Sequence, residues 1–249
     1  MSLNSPILSR RSAEIAARFG ARAASYEAYA GLQASVARRL AGHLPAFAAP
    51  AVLELGCGTG LLSRHLLARY PQGRFVLTDV SPAMIAECRR NLADVDSPRA
   101  RFEVMDAGQA AGQDGFDLIV TSMTLHWLPD PVASLERLRS RLSPGGMLVF
   151  AGLGADSFAE WRAVLASEGL PSGVPDLPAI PGVIEEEHLT PDKDSLSFLR
   201  RIKSVGGLTP QEGYRPLPPG ALRRAIRATN ARFGGRVTWH IVYGRLERT

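Results

Sequence analysis

Lysine is nearly absent from this chain: of 29 basic residues only Lys193 and Lys203 are lysine. No Tyr-x-x-x-Lys pair can therefore be found, which removes the acid–base couple of a common class of nicotinamide-dependent reductases. Cysteine is equally scarce, with Cys57 and Cys88 alone. Neither has a CxxC neighbour or a histidine cluster at ligand spacing, so no metal site is expected and the pair reads as free thiols in a reducing compartment. No apolar run reaches the length that a membrane span needs. Arg10, Arg11, Glu14 and Arg18 interrupt the first twenty residues before a signal-peptide core can form. That stretch is rich in arginine and poor in acid, which admits an organelle transit peptide, but an amphipathic helix over residues 13–19 explains it equally well. Internal repeats and low-complexity tracts are missing too. The expectation is a cytoplasmic protein without membrane or nucleic-acid partners.

What is present is the composition of an ordinary soluble domain: 45% hydrophobic and 21% charged residues in 249. A chain of this length buries one sizeable core, so a single domain is expected. Net charge is +5, and it is unevenly placed. Residues 192–249 carry 12 basic against 4 acidic side chains (+8), while residues 1–191 carry 17 against 20 (−3). A basic C-terminal quarter suggests an acidic partner, or else only a solvated arginine face.

Apolar spacing of three and four predicts a helix over residues 25–44, followed by a short apolar strand at 51–55 and a helix at 61–70 stopped by Pro71. The alternation continues with strands at 74–78, 100–105, 116–121 and 147–152. Helices are predicted at 82–92, opened by Ser81, and at 131–142, with Pro144-Gly145-Gly146 as a turn. Strands alternating with helices imply a parallel, doubly wound α/β sheet. After Gly152 the rhythm changes. A helix at 157–168 precedes a Pro- and Gly-rich stretch at 170–181 suited to a lid, then a weak strand at 183–190. Helices at 195–205 and 219–233 lead to an alternating strand at 237–245, expected to be antiparallel at or near the sheet edge.

The chemistry gathers where strands end. Glu54-Leu55-Gly56-Cys57-Gly58-Thr59-Gly60 joins the first strand to a helix, and glycine there lets backbone approach a ligand closely. A dinucleotide fingerprint requires glycine at 61, where Leu61 stands. The acidic Glu54 would repel a pyrophosphate but suits a cationic ligand. Asp79, 19 residues beyond Gly60, closes the second strand where a carboxylate can accept from ribose hydroxyls. Asp106 follows the third strand, placed for an adenine amino group or for capping its own turn. Met84 suits an adenine face or the core.

Together with Phe116-Asp117-Leu118-Ile119-Val120, these motifs resemble the class I S-adenosylmethionine-dependent methyltransferases over residues 25–152. The resemblance implies a Rossmann-like seven-stranded sheet of order 3-2-1-4-5-7-6 with an antiparallel last strand. It also implies S-adenosylmethionine as methyl donor, yielding S-adenosylhomocysteine. Gly56, Gly58, Gly60, Cys57, Val80, Ala107 and Thr121 join Glu54, Asp79, Met84 and Asp106 as the expected donor-binding residues.

A narrower resemblance reaches both ends. Arg18-Phe19-Gly20 through Ala24-Ser25-Tyr26, with Gln33, is similar to the start of the malonyl-carrier-protein O-methyltransferases of biotin synthesis. Residues 199–207 resemble a later element of that family, Gly207 replacing its usual alanine, and residues 238–244 its closing strand. The resemblance implies that Tyr26 touches the amino-acid end of the donor, and that the acceptor is a free carboxylate on an acyl carrier protein.

Such an acceptor is already ionised at neutral pH and needs alignment rather than a base. Arg162 is the first candidate for a carboxylate clamp, with Arg200, Arg201 and Lys203 as alternatives. Arg223, Arg224 and Arg227 lie on one predicted helix and suit an acidic carrier protein. His126 and Trp127 follow the fourth strand within reach of the transferred methyl. A hydroxyl or amine acceptor would use His126 as base, and that family carries glutamine where His126 stands. Leu125-His126-Trp127 also resembles trans-aconitate methyltransferases and a respiratory complex I assembly factor, which leaves open another small carboxylic acid as acceptor, or a non-methylating relative. The chain is then divided into an N-terminal helical cap (1–45), a donor-binding core (46–152), substrate and lid elements including a helical insertion (153–235) and a last strand (236–249).

Overall fold

The computed structural model describes residues 9–93, 98–109, 115–174, 177–205 and 214–249. Its sheet contains β1 (Ala51–Leu55), β2 (Arg74–Asp79), β3 (Ala100–Val104), β4 (Phe116–Ser122), β5 (Leu142–Leu153), β6 (Val183–Leu189) and β7 (Trp239–Glu247). The spatial order is β3-β2-β1-β4-β5-β7-β6. The first five strands are mutually parallel, whereas β7 runs antiparallel to both β5 and β6. The predicted order and the reversed last strand are both observed.

Around the sheet lie α1 (Arg10–Gly20), α2 (Gly31–Ala41), α3 (Ser63–Arg69), α4 (Pro82–Asn91), α5 (Pro131–Arg139), α6 (Ala159–Ser167), α7 (Ser195–Ser204) and α8 (Pro219–Phe233). Both faces of the sheet are covered, which is why β1 is apolar at every position but Glu54 rather than alternating. Val52, Leu77, Leu118, Val120 and Val149 belong to a core that also takes in Leu32, Val36 and Leu40 of α2 and Leu66 of α3. Leu53, Leu55, Ile119, Leu148 and Phe150 cluster with Leu135 and Leu138 of α5. Leu53 is wholly buried, and burial of a leucine side chain stabilises by roughly 1.5–3 kcal/mol. Helix starts follow their caps: Ser81 accepts from Met84 N (3.4 Å) ahead of Pro82, and Asp130 Oδ1 accepts from Ala133 N (2.9 Å) ahead of Pro131.

Two elements differ from the sequence expectation. The single helix over 25–44 is instead a 3-10 helix, Ala23–Ala28, and α2, with Ala30 between them outside helical geometry (φ −90°, ψ 26°). Tertiary bonds outweigh helical propensity here. Glu27 Oε1 accepts from Thr59 Oγ1 (3.0 Å), Arg64 (2.6 Å) and Asn91 Nδ2 (3.2 Å), which draws this segment onto the glycine loop. The second difference is that β5 starts at Leu142 and runs through the predicted Pro-Gly-Gly turn. Gly145 N bonds to Arg248 O (2.8 Å), and Arg248 N to Gly146 O (3.0 Å), so the turn residues pair with the end of β7. As expected, β7 lies near the edge, but β6 covers its outer side and the first six residues of β7 are all buried. Gly206 and Gly207 of the later family element lie outside the described residues. No helix among the described residues is long and apolar enough to cross a membrane.

Candidate functional site

The carboxyl ends of β1, β2 and β3, together with the loop after β4, open onto a cavity of about 180 Å³. Its floor is the loop after β1. Gly56 sits at φ +68°, and a Cβ there would lie 2.2 Å from Thr124 Oγ1, so only glycine fits between β1 and the β4 loop. Gly58 (φ +55°) has nothing within 4 Å of where a Cβ would be and presents bare backbone to the cavity. The loop is pinned by Cys57 N to Thr78 O (2.8 Å) and by Gly58 N to Asp79 Oδ2 (3.0 Å).

Three carboxylates line this cavity. Glu54 is 1% exposed and accepts from Ser63 Oγ at 2.6 Å. Burial pushes its carboxyl up to about 7; the Ser63 bond opposes this, and the Asp79 charge adds to it. Asp79 is raised by burial to about 6 against the pull of the Ser81, Gly58 and Val80 backbone amides. Asp106 accepts from Gly108 N through Oδ1 (2.9 Å) and from Ser12 Oγ through Oδ2 (2.6 Å). Tyr26 lies close enough to feel Asp79, and burial holds its hydroxyl well above the usual range. A cleft with three acidic groups and exposed loop backbone fits a cationic nucleoside donor. It does not fit a pyrophosphate.

Of the residues the sequence singled out, Tyr26, Glu54, Gly56, Cys57, Gly58, Asp79, Val80, Met84, Asp106, Ala107 and Trp127 line the cavity. Gly60 and Thr121 do not. Gly60 closes the turn onto Cys57 O (2.9 Å), and Thr121 Oγ1 donates to Leu55 O (3.0 Å), tying β4 to β1. The sequence predicts α1 as an amphipathic helix but does not place its Arg11, Ser12, Ile15 and Phe19 in the wall of this cavity. Ser12 is 94 residues from Asp106, and no local pattern could reveal that contact.

A second cavity, of about 480 Å³, adjoins the first and shares Phe19, Tyr26, Gln33, Met123 and Trp127 with it. Its lining is largely apolar, built by Phe158, Trp161, Phe198 and Trp239 with leucines from α7, α8 and the segment after α6. Phe158 stacks edge-on against Trp239 (centroids 4.8 Å) and takes a left-handed backbone, φ +62°, which places its ring in this cluster. Phe158 and Trp161 sit at the start of α6, Phe198 on α7 and Trp239 on β7, so no local spacing brings the four together. His126 lines this cavity rather than the first. Burial lowers its imidazole to about 4, so the ring is neutral at physiological pH.

Of the candidate clamps, Lys203 lines the cavity, and so does Arg18, which we did not single out as a cation. Arg162 turns away and donates to Ala155 O. Arg201 is held by Asp192 at 2.7 Å, and Arg200 is exposed outside the lining. The sequence showed no histidine cluster at ligand spacing, and the fold brings three side chains of ligand type together from separate segments. Cross-strand pairing of His188 with His240 brings both beside Asp156, with ligand atoms within 4.8 Å of one another. His240 Nδ1 there already accepts from Asp156 N (3.2 Å), and its Nε2 meets Glu186 (3.2 Å).

Residues 53–148 match the family model described as a methyltransferase domain. The chain is 39% identical over 255 residues to the malonyl-[acyl-carrier protein] O-methyltransferase of Magnetococcus marinus, covering 96% of this chain and 94% of that one. It is 38% identical to the biotin biosynthesis bifunctional protein BioCD of Bordetella avium, over 96% of this chain and 53% of that protein. Among solved structures, the YcgJ protein of Bacillus subtilis superposes with a TM-score of 0.62 at 14% identity, over 86% of this chain and 98% of that one, and attests the fold. Strand order, the acidic donor cleft and full-length identity converge: the chain belongs to the malonyl-[acyl-carrier protein] O-methyltransferase family and is an S-adenosylmethionine-dependent methyltransferase.

Proposed function

We propose that this methyltransferase esterifies the free carboxylate of malonyl-acyl-carrier protein in biotin synthesis. The observation that carries this reading is the second cavity: apolar, continuous with the donor cleft, with Lys203 and Arg18 in its wall and a neutral His126. An acceptor already ionised at pH 7 needs cations to hold it and no general base. Bound donor supplies an electrophilic methyl on a sulfonium, giving it to the carboxylate oxygen and keeping the C–S electron pair on sulfur, so the chain has no proton to move. The chain's own part is alignment and water exclusion. Trp127, held edge-on by Phe19 at 5.4 Å, lines both cavities. In this reading Lys203 and Arg18 orient the carboxylate and Tyr26 screens the donor's amino-acid end.

The exposed Arg223 and Arg227 of α8 would receive the acidic carrier protein, while Arg224 is engaged by Glu168 at 3.6 Å. Transfer of labelled methyl from S-adenosylmethionine to malonyl-carrier protein, run beside free malonate and trans-aconitate, tests the assignment. Preference for the carrier-linked substrate is the expected outcome, and preference for trans-aconitate would overturn it. Reversing charge at Arg223 and Arg227 should lower kcat/KM for malonyl-carrier protein by about tenfold or more while sparing malonyl-pantetheine.

A further inference from the structure

Three buried polar atoms have no hydrogen-bond partner among the described residues and belong to side chains lining the two cavities: Arg11 Nε, Gln33 Oε1 and His126 Nδ1. Buried polar groups in native proteins are overwhelmingly paired, so each calls for a partner that arrives from outside the chain. Gln33 is the most informative of the three. It sits in the first turn of α2, is 8% exposed, and is the polar side chain, besides Tyr26, that lines both the donor and the acceptor cavity.

A carboxamide carries a donor at one end and an acceptor at the other, without net charge. The opening between these cavities makes opposite demands on its two sides. The donor is cationic where the methyl leaves, and the acceptor, on the reading above, is a carboxylate. A glutamate at position 33 would repel the acceptor and a lysine would repel the donor. Of the three, the neutral amide is compatible with both.

We propose that Gln33 orients the acceptor, donating from Nε2 to the acceptor carboxylate while Oε1 faces the cationic end of the donor. The inference rests on the carboxylate acceptor assigned above. Its consequence is selectivity, because an amine or neutral hydroxyl acceptor gains less from that N–H than an anion does.

Calorimetry on the full chain separates the possibilities, using S-adenosylhomocysteine alone and then malonyl-pantetheine added to that complex. For Gln33→Leu we expect S-adenosylhomocysteine affinity within about threefold of wild type. Malonyl-pantetheine should bind at least about tenfold more weakly, the loss of one hydrogen bond to a charged group. The melting temperature of the ligand-free variant should equal or exceed wild type, because an unpartnered buried oxygen is removed. Gln33→Glu should keep S-adenosylhomocysteine and lose malonyl-pantetheine. Undiminished malonyl-pantetheine binding in Gln33→Leu would overturn the proposal, as would a lowered melting temperature with loss of S-adenosylhomocysteine, which would mark Gln33 as structural. A wild-type protein that binds malonyl-pantetheine yet transfers no methyl to malonyl-carrier protein would sink the substrate assignment and leave Gln33 standing. A wild type that binds no malonyl-pantetheine would remove both.

Discussion

Replacing Gly56 by alanine tests whether the donor loop depends on backbone conformation, on close approach, or on both. The residue sits at φ +68°, and its new Cβ would lie 2.2 Å from Thr124 Oγ1 and 2.9 Å from Cγ2. A left-handed conformation costs an alanine about 1–2 kcal/mol, and an overpacked methyl in a tight site costs about 1–3 kcal/mol. Gly56→Ala should therefore destabilise by roughly 2–5 kcal/mol, a fall in Tm of roughly 4–20 °C for a domain of this size. The second variant, Thr124→Ala, loses only the bond from Oγ1 to Ser122 O (3.1 Å), worth about 0.5–1.5 kcal/mol. In the double variant the two shortest contacts disappear, a 3.1 Å approach to the Cβ at position 124 remains, and the backbone strain stays. A double-mutant cycle from urea unfolding should then return a favourable coupling of about 1–3 kcal/mol. A cycle with no coupling would refute the steric argument, and a neutral Gly56→Ala would refute both parts.

Other consequences follow from the buried ionisable groups. Glu54 titrates near 7 in the folded chain against an ordinary 4.5, so its contribution to apo stability is full below about 4.5 and is lost as pH rises through 7. Glu54→Gln should match wild type near pH 4.5 and exceed it by a few kcal/mol at pH 8 in urea melts, and parallel stability profiles would disprove this. With a carboxylate acceptor, His126→Gln should keep methyl transfer within about fivefold. A loss of about 100-fold or more, with the wild-type rate titrating on an imidazole, would show general-base chemistry instead. Ser12→Ala removes the 2.6 Å bond that fastens α1 to Asp106. Amide exchange across α1 should accelerate while exchange in β1 and β4 stays unchanged; uniform protection would mean that α1 is held by its apolar face alone.

Much of the donor site was legible because it is local. Glu54 through Gly60 lie on one turn, and Asp79 and Asp106 each end a strand whose apolar run marks it, so chain order alone places all three carboxylates at one edge of a parallel sheet. The acceptor side was not legible. In the sequence Arg162 ranks first and Arg201 stands level with Lys203, and only the bonds to Ala155 O and Asp192 show that Arg162 and Arg201 are engaged elsewhere. Likewise the helical spacing over 25–44 is real, but it cannot report that Glu27 is drawn onto Thr59, Arg64 and Asn91.

By itself, then, the sequence determined the alternation of strands and helices and the chemistry of the donor, since these follow from hydrophobic period, glycine spacing and acidic strand ends. The strand order came from the family resemblance. Tertiary structure alone decided what meets the donor. It brought α1 over Asp106, set Gln33 between two cavities, and drew Phe158 and Trp161 at the start of α6, Phe198 of α7 and Trp239 of β7 into one apolar wall. The physical reason is range. Backbone periodicity acts over a few residues, whereas an acceptor site is built from contacts between segments tens to hundreds of residues apart.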